Sequence, residues 1–508
     1  MKISSCVVVV ASFAAATCFA QAAAKPSHDN FYWLGEFNKA STVMVVEQGI
    51  VPKALGAKIA NGVAQVIADG EKPGSKRPSD YADSERLIIA IAGPDATRMH
   101  SGRSRQDILA TTRRVMLRER ALDLAEAIDD ARERLLALAA QHVSTIVPAY
   151  TNGVQAQPTT YAHYLLAFAA AFERDAARLR ESYVRLNRSP YGSAALGTSS
   201  FPVNRTRLAE LLGFDGVVEN SYDATQLATL DASAEIGNLC AISALIVGSL
   251  VQDIHTQYHQ TSPWILLRDG ALTGSSSIMP QKRNPNGLNR LRLTASTVVG
   301  DAQTYLIQSH NLSPGLPDHK PPTAWPESQV QVHRTVDGAI TMFRQLSVLV
   351  SSLVVNPVRA LDEVNAEYST TTELADVLQR EADVPFRIGH HFASELVTFG
   401  RAKGLRPSEL AFADAQRIYA EAGKKFNLED SRLPLIEQRF RNSLSPEGMV
   451  RASQGLGGPQ PKEVARMLDA EKKTLAADRE WIKDRRAKLA KAQASLDAAF
   501  EMLQSASK

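Results

Sequence analysis

The most chemically pointed stretch of the chain is Thr273-Gly274-Ser275-Ser276-Ser277-Ile278-Met279-Pro280-Gln281-Lys282-Arg283-Asn284-Pro285. Small hydroxyl residues beside Gly274 make a loop whose backbone N–H groups are free to face an anion. Lys282 and Arg283 add positive charge, Asn284 adds a directed amide, and Pro280 and Pro285 stiffen the exit. On composition alone, a solvated serine-rich turn is the alternative. His255 and His259 stand four apart, a spacing that can hold zinc on one helical face, but no glutamate follows the first. No glycine loop ending in Lys-Ser/Thr is present to cradle a nucleotide phosphate, and no Gly-x-Ser-x-Gly elbow to present a hydrolase serine. No metal or nucleotide cofactor is expected.

The order of residues in this loop resembles the signature of the fumarase/aspartase superfamily, whose members make or break a C–N or C–O bond beta to a carboxylate and usually release fumarate. His100-Ser101-Gly102-Arg103-Ser104-Arg105-Gln106-Asp107 is similar to the first signature region of its argininosuccinate lyase branch. Pro148-Ala149-Tyr150-Thr151-Asn152 with Gln157-Pro158 stands where the second belongs. Gly192 to Arg205, and Glu373-Leu374-Ala375-Asp376 followed by Val384-Pro385-Phe386-Arg387, are similar to further stretches of that branch. The resemblance runs from about Phe37 to His391.

The resemblance implies an all-α fold: a central bundle of long helices with smaller N- and C-terminal helical domains, forming a tetramer whose active sites are shared between subunits. It places the catalytic base on Ser276, which would take a proton from the carbon next to a carboxylate, while Lys282 and Asn284 hold the resulting dianion. A serine is a poor base at its free pKa, so the loop N–H groups and Lys282 must stabilise its alkoxide. Ser104, Arg105 and Thr151 match substrate-binding positions, with Gln106, Lys320 and Ser41 also lining the implied site. An arginine can hold a carboxylate bidentately, with a hydroxyl adding a further bond. The implied partner is a small dicarboxylate, with no role for nucleic acid or membrane.

Several departures shape the expected substrate. Asn152 replaces a histidine found in many members of the family, and an amide cannot deliver a proton near neutral pH. Gln106 replaces the usual asparagine and reaches one methylene further. Lys320 matches a family lysine, but Leu312 and Pro317 stand where argininosuccinate lyases carry a tyrosine and a glutamine for the substrate tail. Losing buried hydrogen bonds of about 1–3 kcal/mol each is enough to change the preferred substrate. The expectation is therefore C–N cleavage of an N-substituted aspartate, as in ethylenediamine-disuccinate lyases, rather than of argininosuccinate. A catalytically silent member acting as a binding or structural protein is the alternative, which Asn152 favours and the intact Ser276, Lys282 and Asn284 oppose.

The elements that must position these residues read as helix nearly throughout. Leu117, Ala121, Leu124, Ile128, Ala131, Leu135 and Leu138 alternate steps of four and three, the period of a left-handed supercoiled bundle. Leu239, Ile242, Ile246, Leu250 and Ile254 stripe a second helix, and a third is predicted from Val330 to Val355, stopped by Asn356-Pro357. Loops are expected at 150–160 and 273–287, and a solvated, mixed-charge helix after Pro461. The predicted boundaries are a signal peptide over 1–24, an N-terminal domain over 25–107, the central bundle over 108–365 and a C-terminal helical domain over 366–508.

The chain of 508 residues carries 57 Lys+Arg against 54 Asp+Glu, a balance of +3 that argues against a polybasic nucleic-acid binder. No apolar run is expected to reach the ~20 residues of a membrane span. Lys2, the apolar run Cys6 to Ala20 and the small residues Ala20-Gln21-Ala22 have the build of a secretory signal, so a secreted or periplasmic location is expected. Removing that signal leaves Cys240 alone, and one thiol makes no internal disulfide.

Overall fold

A computed structural model describes residues 28–78, 80–310 and 330–506. The expected signal peptide, Leu312, Pro317 and Lys320 lie outside the described residues. Three helices come first: α1 (Asn30–Glu47), α2 (Lys53–Gly70) and α3 (Tyr81–Ala92). Asp29 and Asp80 start α1 and α3 by accepting from first-turn N–H groups. Phe37, Met44, Ile59 and Ile88 share a core with Tyr191, Leu208 and Phe214, and with Leu496 and Phe500 from the far end of the chain. The unit expected over 25–107 therefore completes its core with residues distant in sequence.

The bundle begins with α4 (Arg105–Gln141), crosses a hairpin of β1 (Ile146–Thr151) and β2 (Val154–Thr160), and returns as α5 (Tyr161–Leu186). After the short α6 (Arg205–Leu211) and α7 (Ser221–Gln226) come α8 (Ala228–Gln257), β3 (Ile265–Leu267), β4 (Gly274–Ser275), β5 (Arg283–Asn284), α9 (Asn286–Ser309), α10 (Val330–Ser351) and β6 (Leu353–Val355). Every member of the Leu117–Leu138 series is buried in the main core, at about 1.5–3 kcal/mol for each large apolar side chain. Within the α8 stripe, Leu239, Leu250 and Ile254 are buried, whereas Ile242 is exposed. By length and composition α8 is apolar enough to cross a membrane, which corrects the expectation that no segment would be. In this fold its apolar surface packs against α5, α9 and α10.

Two expected boundaries shift for local reasons. The helix predicted to reach Val355 ends at Ser351, because Leu353–Val355 pairs antiparallel with Ile265–Leu267. The segment 150–160, expected as loop, is mostly strand: β1 and β2 pair from Ile146↔Thr160 to Thr151↔Val154. Asn152 and Gly153 form the connection with φ of 51° and 75°, the two positive values of a type I′ turn, for which Asn-Gly is the preferred pair.

The C-terminal part comprises α11 (Pro357–Ala366), α12 (Thr371–Ala382), α13 (Phe386–Lys403), α14 (Phe412–Lys425), α15 (Glu437–Ser443), α16 (Pro446–Ala452) and the 45-residue α17 (Pro461–Ser505). Its own core runs from Tyr368 to Leu444. α17 leaves that core and packs along α4, α5, α1 and α2, unlike the single domain expected over 366–508. Its charges are not simply solvated. Arg132 of α4, fully buried, donates to Asp478 at 2.5 Å and to Thr474 at 3.0 Å, and pairs with Asp129 at 3.2 Å. Arg486 reaches Asp123 and Glu126, both at 2.7 Å.

Candidate active site

The Ser276 loop is better built than a mobile serine-rich turn. β4 and β5 close it with the pairs Gly274↔Asn284 and Ser275↔Arg283. Gly274 lets the Asn286 side chain lie close against the strand, since a Cβ there would fall 2.3 Å from Asn286 Nδ2 and push that amide aside. Inside the loop, the Ser276 hydroxyl oxygen accepts from the backbone N–H of Met279 at 3.1 Å and of Ile278 at 3.4 Å. These donors point at the atom that would carry negative charge as an alkoxide, the arrangement that stabilises an oxyanion. Ser276 is half-buried and the Lys282 side chain exposed. Asn284 Nδ2 donates to the Ser275 carbonyl at 3.4 Å. Arg283 braces the loop rather than facing the serine: it pairs with Asp269 at 3.2 Å and donates to the Pro280 carbonyl at 2.9 Å.

Ser104 and Arg105 sit where α4 begins, and the helix end explains much of their setting. The Ser104 hydroxyl accepts from Gln106 N–H at 3.1 Å, and Asp107 Oδ1 accepts from Ser104 N–H at 2.8 Å, a reciprocal cap. The other Asp107 oxygen takes the Ala194 N–H at 3.2 Å, tying the 192–205 segment to the helix start. Burial pushes the Asp107 carboxyl up to about 6 despite those donors. Arg105 and Gln106 follow in the first turn, both half-buried. Ser41 is nearby but enclosed. Its hydroxyl lies 2.9 Å from the Tyr191 hydroxyl and accepts from Arg103 at 3.2 Å. Arg103 also donates to Asn38 at 2.9 Å and to His100 at 2.8 Å. Burial and the Arg103 charge push that imidazole down to about 3, so it stays neutral and able to accept.

Thr151 and Asn152 stand at the exposed tip of the hairpin. Tyr150 donates to the Glu363 carboxylate, and Gln155 Nε2 donates to the Glu363 carbonyl at 3.0 Å, so α11 braces the strands.

These groups divide between opposite ends of the bundle. α4 has 37 residues, a rod of about 55 Å at about 1.5 Å per residue. Ser41, Ser104, Arg105 and Gln106 gather at its start, and the hairpin with Thr151 and Asn152 follows its end. α8 begins beside the early turns of α4, where Arg114 donates to the Ala228 carbonyl at 2.5 Å. It finishes beside the start of α5, where Tyr164 donates to Asp253 at 2.5 Å. The Ser276 loop, following α8, is therefore at the hairpin end. One chain brings Thr151, Asn152, Ser276, Lys282 and Asn284 to one end and leaves the Arg105 group at the other.

Sequence reasoning passed over Arg103, Asp107 and Tyr191, although Ser104-x-x-Asp107 has the spacing of a helix cap. It also read Asn152 as a lost proton donor and overlooked the Asn-Gly turn signal. His255 and His259 have ring centroids 5.4 Å apart, with Arg292 donating to His255 at 3.2 Å. Among the described residues no group of three candidate ligands surrounds a metal position.

Comparison with known proteins adds independent findings. A family profile described as lyase matches residues 51–300, and one described as argininosuccinate lyase C-terminal matches residues 368–451. An argininosuccinate lyase of Methanoculleus marisnigri is 32% identical over 467 residues, covering 90% of this chain and 88% of that one. Argininosuccinate lyase 1 of Shouchella clausii is 30% identical, covering 90% of each. Among solved structures, an EDDS lyase in complex with formate has a TM-score of 0.84 at 29% identity, covering 94% of this chain and 92% of that one. A fumarate lyase from Mesorhizobium sp. BNC1, with a TM-score of 0.66 at 19% identity, shares the fold.

Proposed function

We propose that this chain, a carbon–nitrogen lyase that belongs to the argininosuccinate lyase branch of the fumarase/aspartase superfamily, cleaves an N-substituted aspartate to fumarate and a free amine. The observation that carries the mechanism is the pair of backbone N–H donors on the Ser276 oxygen, in a loop held shut by a strand ladder. Those donors, with the Lys282 ammonium on the same loop, lower the cost of the serine alkoxide. The alkoxide takes a proton from the carbon next to the distal carboxylate. The carbon's electron pair spreads into that carboxylate as a dianion, which Lys282 and Asn284 hold. The pair then returns to form the carbon–carbon double bond as the C–N bond breaks and its electrons leave with nitrogen. That nitrogen is protonated by water, since Asn152 supplies no proton.

Carboxylate capture falls to Arg105 with Ser104 and Gln106, and to Thr151. Because Arg105 and Ser276 lie at opposite ends of α4, a complete site needs more than one copy of the chain. A homotetramer with shared sites meets that need. Exposed Leu245 on α8, Leu293 and Ile307 on α9 and Val348 on α10 give the long helices apolar surface for such contacts. Argininosuccinate itself is disfavoured, because Leu312 and Pro317 cannot make the polar contacts its tail requires. The likeness to an EDDS lyase supports a succinyl-amine substrate. The proposal places the enzyme outside the cytoplasm, behind a cleaved leader. The direct test is incubation with fumarate and a panel of amines, with mass spectrometry of the products. One or more N-succinyl adducts are expected, and no adduct with any amine, together with no fumarate from any N-succinyl amine, would overturn the assignment.

A further inference from the structure

A cavity of about 180 Å³ lies between the hairpin, the first turn of α5 and the last turns of α8, with Trp264 and Ile265 completing its wall. It contains none of the groups assigned to the elimination. Three of its lining side chains are at least nine-tenths buried: Tyr161 at 0% exposure, Gln257 at 5% and Trp264 at 6%. Each carries a buried polar atom, respectively Oη, Oε1 and Nε1, that has no hydrogen-bond partner among the described residues. They come from three separate elements, and an unmet buried polar atom costs about 1–3 kcal/mol. All three residues line this one space, which points to an occupant.

The chemistry of the wall narrows that occupant. Asp253 is exposed at the cavity's edge and accepts from Tyr164 at 2.5 Å. It stands four residues before Gln257, so the two acceptors lie side by side on α8. No Lys, Arg or His lines the space, so a carboxylate or phosphate would be buried without compensation. The rings of Tyr150, Tyr161, Tyr164 and Trp264 are all present in the wall, and aromatic faces attract cations. Burial and the Asp253 charge push the Tyr161 phenol up, so it remains a donor at any physiological pH. We infer that the cavity binds a small protonated amine that also bears an uncharged oxygen. Its ammonium faces Asp253 and the Gln257 oxygen, and its oxygen accepts from Trp264 Nε1–H and Tyr161 O–H.

The test is calorimetric titration of the full-length protein with ethanolamine as probe and acetate as the anionic control, repeated with Asp253→Asn and Tyr161→Phe. Both substitutions conserve shape, and circular dichroism checks that helical content is retained. The expected result is saturable ethanolamine binding at one site per chain, at least tenfold weaker in Asp253→Asn, weakened in Tyr161→Phe, and no acetate binding. A crystal grown with ethanolamine should show it in the cavity. No saturable binding, equal affinity in Asp253→Asn, acetate binding as tightly, or ordered water alone in the cavity would overturn the inference. Because the readout is binding, it stands or falls separately from the elimination chemistry.

Discussion

Ser276, Asn152 and Asp107 each answer a different physical demand. For Ser276 the demand is charge: two amide N–H groups already converge on its oxygen without any ligand. For Asn152 it is backbone shape, since φ of 51° is tolerated by Asn, Asp and His far better than by branched residues. That tolerance makes Asn152→His a clean experiment. The hairpin should survive, and the new imidazole, with an ordinary pKa near 6.5, adds a proton donor. Fumarate release should then gain a component that fades as pH rises above about 6.5, seen as a changed pH–rate profile. An unchanged profile would mean that position 152 does not face the leaving nitrogen.

Asp107 makes a second prediction at this scale. Its folded value of about 6 lies above the ordinary 3.8, so the folded state keeps the proton through a window where the unfolded chain has lost it. Stability from this group is present below about pH 4 and declines as pH rises to about 6, by up to about 3 kcal/mol. Asp107→Asn cannot ionise, so whatever constant cost the amide carries, the fall in Tm between pH 4 and 6 should be shallower than in the wild type. Parallel curves would contradict the assignment.

Among the elements, long helices were the most legible. The Leu117–Leu138 series announced α4 because a period of 3.5 sustained over twenty residues has one packing solution. The hairpin was missed because its strands each carry a proline and lack clean alternation, leaving Asn-Gly as the sole signal. α17 was legible as a helix but not in its placement, since nothing local says that Asp478 meets Arg132 across 346 residues of sequence. That pairing is strong enough to test. Arg132→Met leaves Asp129 buried beside an apolar side chain, although Arg180 still pairs with Asp478. Removing one partner of a buried ion cluster typically costs about 3–5 kcal/mol, read as a lower urea midpoint at constant slope. A loss under about 1 kcal/mol would mean that α17 is held by its apolar contacts alone.

Across the whole molecule, the sequence motifs identified the chemistry but not its assembly. The signature loop, the α4 start and the Pro148–Pro158 motif were each recognisable from residue order, yet their separation along a rod of about 55 Å emerged only from helix lengths and directions. On the proposed mechanism, a site needs Ser276 from one chain and Arg105 from another. The most direct measurement co-assembles Ser276→Ala with Arg105→Ala subunits and follows fumarate release from an N-succinyl amine. Each variant alone should be silent, and the mixture should regain turnover at those sites that receive both intact residues. A mixture as inactive as its parents, or Ser276→Ala active on its own, would contradict the account.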